Sequence, residues 1–468
     1  MPRRLFPTWR DRAASYLVAL LVFAGHLAYG ANSDALALLF AALWFAVLAA
    51  LAPSRLRFGA GVQLRRLVPV AIPFAAVLVL AGLQLTPWAL GGPQSVWRWA
   101  PGATPVGTIT PYATGLEILK LLALAAAFLV GFGLGADDDR FRLTMRAILT
   151  LGLVFAAWAF IDHAANPATL FGNPRQTSPG RLSAAFGSSN TAATLFGALT
   201  LLNVVDLARS YQGRRPEGPP FHISQIQRLG PYLARPLVAL TLSLTCLVLT
   251  FSRGGIAATA ASMLVLVGAM AVSGARRRSI SVPVIGVAAA LIVGLAGYAM
   301  LSHADMLQQR LVSAHEDSLS RGEIFAAHWA AALKAPVGGY GLGSFGRVNG
   351  LIMNSSDVAT LDTLGAAHNV YIQWIEQAGF PGAAAMFATV AAIGVTLGVA
   401  AVRRARMRSW VLGIMAVLLL FLLHGASDFA LEVPSMALWL SLTLGLGCGL
   451  IAVTAVKVAA PPIRAVGC

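Results

Sequence analysis

Twelve apolar stretches near bilayer-crossing length constrain this chain more than any other feature of its sequence. A helix needs about 20 apolar residues to cross the hydrocarbon core. Candidate spans fall at 15–31, 34–52, 67–86, 112–135, 144–162, 191–208, 236–252, 255–273, 281–301, 370–402, 409–424 and 433–455. In lipid, backbone polar groups must find partners within the chain, and stretches of this kind do so as helices. The 370–402 stretch is too long for one simple span, and Gly379, Pro381 and Gly382 predict a bend in it. Composition agrees, since 57% of the 468 residues are hydrophobic and 11% charged, against about 25% charged in a soluble domain. The predicted fold class is an all-α polytopic membrane protein of about 12 transmembrane helices with a long helical loop on one side.

The charges set a topology. The chain has 34 Lys and Arg against 18 Asp and Glu, a net charge of +16. The basic residues concentrate on alternate connections, from Arg3, Arg4, Arg10 and Arg12 through Arg403, Arg404, Arg406 and Arg408 to Lys457 and Arg464. That bias places both termini in the cytoplasm. It also explains the basic charge without nucleic acid, because no basic stripe is interleaved with exposed aromatics. The first stretch follows four arginines and is followed at once by a second, so it reads as a retained signal anchor. Residues 1–301 then hold spans one to nine, 302–369 form the longest outer, periplasmic loop, and 370–468 hold the last three spans, all in one bundle. The 87–111 connection carries Trp88, Trp97 and Trp99, which fits an interfacial aromatic belt. The three cysteines, Cys246, Cys448 and Cys468, form no CxxC and suggest neither a thiolate zinc site nor a disulfide framework.

Polar residues gather at the predicted outer ends of the spans. Arg253 sits in Thr250-Phe-Ser-Arg-Gly-Gly255, where one span ends and the next begins almost immediately. A guanidinium at that depth is costly unless an anion meets it, and its rigid fork suits phosphate oxygens. Snorkelling to lipid headgroups is the competing reading. Ser320-Arg-Gly-Glu323 precedes a helical stretch near 321–334 and a glycine-rich run from Gly338 to Gly346. Gly341, Gly343 and Gly346 fit GxGxxG, but no strand or βαβ unit surrounds them, which excludes a dinucleotide site. The run reads as a tight turn closing an outer helix onto the bundle. Arg321 is either a second phosphate ligand or a solvated arginine.

His368 stands where the long tenth span begins, with Tyr371 and Ile372 expected on its face. It suits a general base near neutral pH, or equally a helix-start histidine bonded to backbone. His424 and Asp428 are spaced i, i+4 and can meet, either to orient the imidazole or as a polar clamp between helices. Arg181 precedes Phe186-Gly-Ser-Ser-Asn190, with Asn190 expected to cap the sixth span. Glu117 and Lys120, spaced i, i+3, either neutralise one another or form a proton relay. No HExxH or DxD is present, and outer carboxylates are few, so no metal site is expected.

In their order along the chain, these pieces resemble the O-antigen ligase and Wzy-type polymerase superfamily of bacterial inner membranes. The matching stretches are Phe251-Ser-Arg-Gly-Gly255, then Ser320-Arg321 with Pro336 and Gly339-Tyr-Gly-Leu-Gly-Ser-Phe345, then His368-Asn369 with Glu376-Gln-Ala-Gly379, then His424, Asp428 and Pro434. The likeness covers roughly 180–445, and Phe186-Gly-Ser-Ser-Asn190 is a looser version of the family's Asn-rich stretch.

The resemblance implies a metal-independent, inverting membrane glycosyltransferase that needs no cofactor. Its donor would be a glycan on undecaprenyl diphosphate, and its acceptor a lipid-linked glycan, lipid A–core or, as in some relatives, a protein. Carried onto this chain, Arg253, Arg321 and Arg181 would hold the diphosphate and His368 would accept the acceptor's proton. Asn369, Tyr371, Glu376, His424 and Asp428 would support them. The active site would face the periplasm. A surface-polysaccharide polymerase is the first expectation and an O-antigen ligase the second. A transporter or flippase of lipid-linked sugars, or a non-catalytic member of a polysaccharide export complex, would fit the spans too. Against transport, the polar residues cluster at the outer edge rather than at the midplane.

Overall fold

A computed structural model of the chain describes residues 8–55, 62–174, 180–212, 223–275, 321–354, 358–362 and 364–452. The predicted span at 281–301, the outer loop up to Ser320, Arg175 and Cys468 lie outside the described residues. The main helices are α1 (Trp9–Leu27), α2 (Asp34–Arg55), α3 (Val68–Gln84), α4 (Pro111–Gly135), α5 (Asp138–Ala165) and α6 (Ser189–Gln212). They continue with α7 (Ile223–Leu249), α8 (Arg253–Ala275), α9 (321–334), α10 (Val370–Arg403), α11 (Arg408–Gly425) and α12 (Pro434–Gly449). Nine of the helices in the described residues are long and apolar enough to cross a membrane. The more charged α1 and the shorter α3, of 17 residues, match two more predicted spans. Among the described residues the only sheet is a hairpin pairing Thr169–Leu170 with Asn173–Pro174.

Local chemistry explains where the helices start. Proline opens α4 and α12, where its missing N–H costs nothing. The Asp137 carboxylate accepts from the Asp139 and Arg140 amides at the start of α5. The sixth span differs from expectation. Asn190 lies inside α6, and the Ser188 hydroxyl accepts from the Thr191 amide at 3.3 Å. Serine and asparagine both cap well, so residue type alone did not decide between neighbours two positions apart.

The bundle is held by close helix contacts. Gly131 and Gly135 of α4 face Gly445 and Gly449 of α12 in a reciprocal small-residue pattern. A Cβ at Gly135 would lie 2.1 Å from the Leu446 carbonyl oxygen, and one at Gly445 2.1 Å from that of Phe128. Helix α6 lies at the centre, with Leu195, Phe196, Leu201 and Leu202 fully buried. At the basic end, Arg404 pairs with Asp138 at 2.5 Å, Arg209 donates to the Arg406 carbonyl, and Arg235 pairs with Asp206. The predicted bend in the long helix is at Gly379, with φ 66° and ψ 174°.

The bend exposes backbone acceptors, and the glycine-rich run takes them. The Tyr340 and Gly341 amides donate to the Glu376 and Gln377 carbonyls at 2.9 Å, and Phe380 donates to the Pro336 carbonyl at 2.8 Å. Gln84 at the end of α3 completes the knot, donating to Gly338 and Gln377 and accepting from the Leu342 amide. A Cβ at Gly339 would sit 2.3 Å from the Gln377 carbonyl oxygen. The glycines are there so that two backbones can touch, as the turn reading predicts.

Candidate active site at one rim of the bundle

The end of the bundle away from the Arg404–Asp138 pair gathers the starts of α8 and α10, the first described residues of α9 and the end of α11. Helix α7 ends at Leu249, and Phe251 takes a left-handed φ of 49° in the turn to α8. Ser252 caps α8, its hydroxyl accepting from the Gly255 amide at 3.2 Å. Arg253 is therefore the first residue of α8 and is exposed. A cation at a helix N-terminus opposes the helix dipole. Guanidinium and dipole together form a strongly anion-attracting corner.

Gly254 and Gly255 make room for an imidazole. A Cβ at Gly254 would lie 3.2 Å from His424 Cδ2, and one at Gly255 3.3 Å from His424 Cε1. His424 is thus packed against the first turn that carries Arg253. Its Nδ1 lies 2.7 Å from the Thr194 hydroxyl, which itself donates to the Asn190 carbonyl at 3.2 Å. With the hydroxyl proton used, Nδ1 donates and the neutral ring keeps its lone pair on Nε2. The expected His424–Asp428 contact is longer, 4.0 Å, and the Asp428 carboxylate instead accepts from the Ala430 amide at 3.0 Å. The i, i+4 spacing does bring the two groups to 4.0 Å, and because α11 ends at Gly425 the pair stops short of a hydrogen bond. Thr194, on another helix, is the residue that orients the ring.

His368 lies just outside α10, in a left-handed conformation with φ 54°. The face-sharing expected with Tyr371 and Ile372 does not apply, since the helix begins at Val370. Asn369 caps it. Its side-chain Oδ1 accepts from the Tyr371 and Ile372 amides, and its side-chain Nδ2 donates to the Ala426 carbonyl at 3.1 Å. That bond ties the start of α10 to the end of α11. Tyr371 donates its hydroxyl to the Leu422 carbonyl at 2.7 Å, a second tie between the same helices. The His368 ring meets Phe429 edge-on at 4.8 Å, and its Nδ1 is buried without a hydrogen-bond partner among the described residues. Burial holds this imidazole below the usual histidine range, Asp428 opposes that shift, and Arg321 adds to it.

Arg321 and Asp428 act electrostatically on both His368 and His424. His368 and His424 thus lie within charge range of the same two residues, and Gly254 links His424 to Arg253. Arg181 lies close by in the chain path, because the Leu182 amide donates to the Leu249 carbonyl at 3.0 Å beside the α7–α8 turn. Glu376 is displaced from the cluster. It sits two turns into α10, fully buried, with Oε2 2.5 Å from His328 Nδ1.

His328 escaped sequence reasoning, though a signal existed. It follows Arg321 by seven residues, and Glu376 follows Asn369 by seven, so equal spacing places a pair two turns down each helix. The dyad fixes α9 against α10 and thereby sets Arg321 relative to His368. Phe345 stacks on His328 with ring centroids 4.6 Å apart.

Beside the cluster, a cavity of about 700 Å³ opens between α2, α3, α4, α10 and α12. It is lined mostly by apolar side chains and reaches Val370 and Tyr371 at its outer end. Glu117 and Lys120, joined at 2.6 Å, face it together with Glu432. The neutralised-pair reading of Glu117 and Lys120 holds. No group of histidines, cysteines and carboxylates able to hold a metal occurs among the described residues.

Fold and rim together define a polytopic helical membrane protein with arginines and imidazoles gathered at one end. A family model described as O-antigen ligase matches residues 238–387, so this segment is similar to the O-antigen ligase and Wzy-type superfamily. The matched segment contains Arg253, Arg321, His328, His368, Asn369, Tyr371 and Glu376; Arg181, His424 and Asp428 lie outside it. No curated protein matches the chain. The family likeness supports a membrane glycosyltransferase-type function.

Proposed function

We propose that this chain is a metal-independent inverting glycosyltransferase of the bacterial inner membrane that polymerises lipid-linked glycan repeats. The observation that carries this reading is the meeting of Arg253, Arg321, His368, His424 and Asp428 at one rim. The basic connections at the other end support a periplasmic rim through the positive-inside bias.

The chemistry follows from these groups. The donor is a glycan joined through its anomeric carbon to undecaprenyl diphosphate. His368, kept neutral by its surroundings, accepts the acceptor's hydroxyl proton as that oxygen attacks the anomeric carbon. The new carbon–oxygen bond forms as the bond to the diphosphate breaks, with inversion at that carbon. Arg253 and Arg321, with Arg181 at the edge, stabilise the negative charge that gathers on the departing diphosphate. A carrier's isoprenoid chain suits the apolar cavity that ends at Tyr371.

A ligase acting on lipid A–core is the second reading, favoured by the description of the matched family. Replacing the chromosomal copy with His368→Ala separates the two. A polymerase loss leaves single repeats on the acceptor, and a ligase loss leaves long chains on the carrier lipid. An unchanged glycan pattern contradicts both.

A further inference from the structure

Helix α9 has two unlike faces. Ile324, His328, Ala331 and Ala332 are buried against the bundle, whereas Trp329 and Leu333, one turn apart, are exposed. Trp329 meets Phe380 edge-on at 6.1 Å. Just beyond α9, Val337 stands next to the 85–110 connection, where a Cβ on Gly91 would lie 3.7 Å from Val337 Cβ. Leu90 lies against Gly338 and Trp88 precedes it by two residues, and Trp88, Leu90, Trp329, Leu333, Val337 and Phe380 are exposed apolar side chains that make a strip among the described residues. Trp88 is 80% exposed, Leu333 53% and Val337 46%. An uncovered strip of this kind needs a partner.

The height of the strip identifies the partner. Phe380 opens the part of α10 that follows the Gly379 bend. From there to Arg403 the helix is about 36 Å long at about 1.5 Å per residue, enough to cross a hydrocarbon core of about 30 Å. The strip therefore stands where the lipid-crossing part of α10 begins and is continuous with its lipid-facing surface. Its two tryptophans suit the headgroup layer, and the exposed Lys334 can turn its ammonium outward from the same face.

We propose that this strip is a membrane-seated shelf, with α9 and the 85–110 connection resting their apolar side in the interfacial layer of the leaflet on the site's side. Lipid is the partner, not water or another protein. Arg321 is the first described residue of α9, and the shelf holds its guanidinium near the level of lipid phosphates.

The test uses the full chain carrying Leu333→Cys with Cys468→Ser, labelled with an environment-sensitive fluorophore. The protein is placed in phosphatidylethanolamine and phosphatidylglycerol vesicles. Lipids with a nitroxide near the headgroup are expected to quench the label about twofold more than lipids with one near the chain end. Aqueous iodide should quench it far less than a label on Arg347→Cys, which is exposed on the short helix Phe345–Ile352. Val337→Cys provides a second probe with the same expectation. Iodide quenching equal to that at Arg347→Cys, with no nitroxide effect, overturns the proposal by placing the strip in water. Insensitivity to all quenchers overturns it by placing protein over the strip. Neither readout needs substrate, so the result stands apart from the fate of the proposed reaction.

Discussion

Gly255→Ala is the sharpest small perturbation of the rim. The new Cβ would stand 2.5 Å from Ala193 Cβ on α6 and 3.1 Å from the Ser252 hydroxyl. Carbon atoms in contact prefer roughly 3.5–4.0 Å, so α8 and α6 must part by about 1 Å there. Overpacking of this kind costs about 1–3 kcal/mol, and the better helix propensity of alanine returns at most about 1 kcal/mol. The fold should survive, but the first turn of α8 carries Arg253 outward. A misplacement of about 1 Å can cost about 10²-fold in rate. Gly254→Ala is the internal control. Its Cβ meets His424 and the Ser427 hydroxyl at 3.2 Å, and side-chain shifts of a few tenths of an ångström relieve it. The assay is the initial rate of glycan transfer in isolated membranes, normalised to folded protein by size-exclusion chromatography in detergent. The expected order is a loss of about 10²-fold for Gly255→Ala and below about 10-fold for Gly254→Ala. A wild-type rate in Gly255→Ala, or the reverse order, refutes the packing argument.

Further outcomes follow from the charges around His368 and from the helix packing. A base must be unprotonated, and the His368 pKa is lowered, so transfer should persist as pH falls through the ordinary histidine value of about 6.5 and fail only below it. In the pH–rate profile, Arg321→Gln should move that acid limb up and Asp428→Asn should move it down; shifts of one sign would contradict the electrostatic account. His328→Leu leaves the Glu376 carboxyl buried without its partner, costing about 3–5 kcal/mol, and the double variant with Glu376→Met should regain much of the lost melting temperature. Additive losses would deny the coupling. Gly445→Val drives two helix backbones apart at a contact of 2.1 Å and should abolish the folded monodisperse peak in detergent, whereas Gly394→Val, with open space around its Cβ, should not.

The bundle was legible because lipid permits few alternatives. Span length, Arg placement and the Gly379 bend are local or periodic signals, and each predicted span in the described residues is a helix. The glycine run was legible as a turn but not as the partner of carbonyls freed by the bend, which lie far along the chain. Helix ends misled most. The face-sharing expected of His368 assumed continuous helix where α10 in fact starts. Thr194 with His424, and His328 with Glu376, are pairings across helices. No spacing within one helix announces such a partner, because the choice is made by which backbones approach closely enough.

In the proposed reaction, arginines at the rim hold a carrier's diphosphate while His368 takes the acceptor's proton. Purified protein with an undecaprenyl-diphosphate-linked glycan tests it by measuring donor binding and single-turnover transfer together. The account predicts that His368→Ala binds donor like the wild type but transfers about 10²–10⁴-fold more slowly, and that Arg253→Ala loses donor affinity. Wild-type transfer by His368→Ala, or unchanged donor affinity in Arg253→Ala, would contradict it.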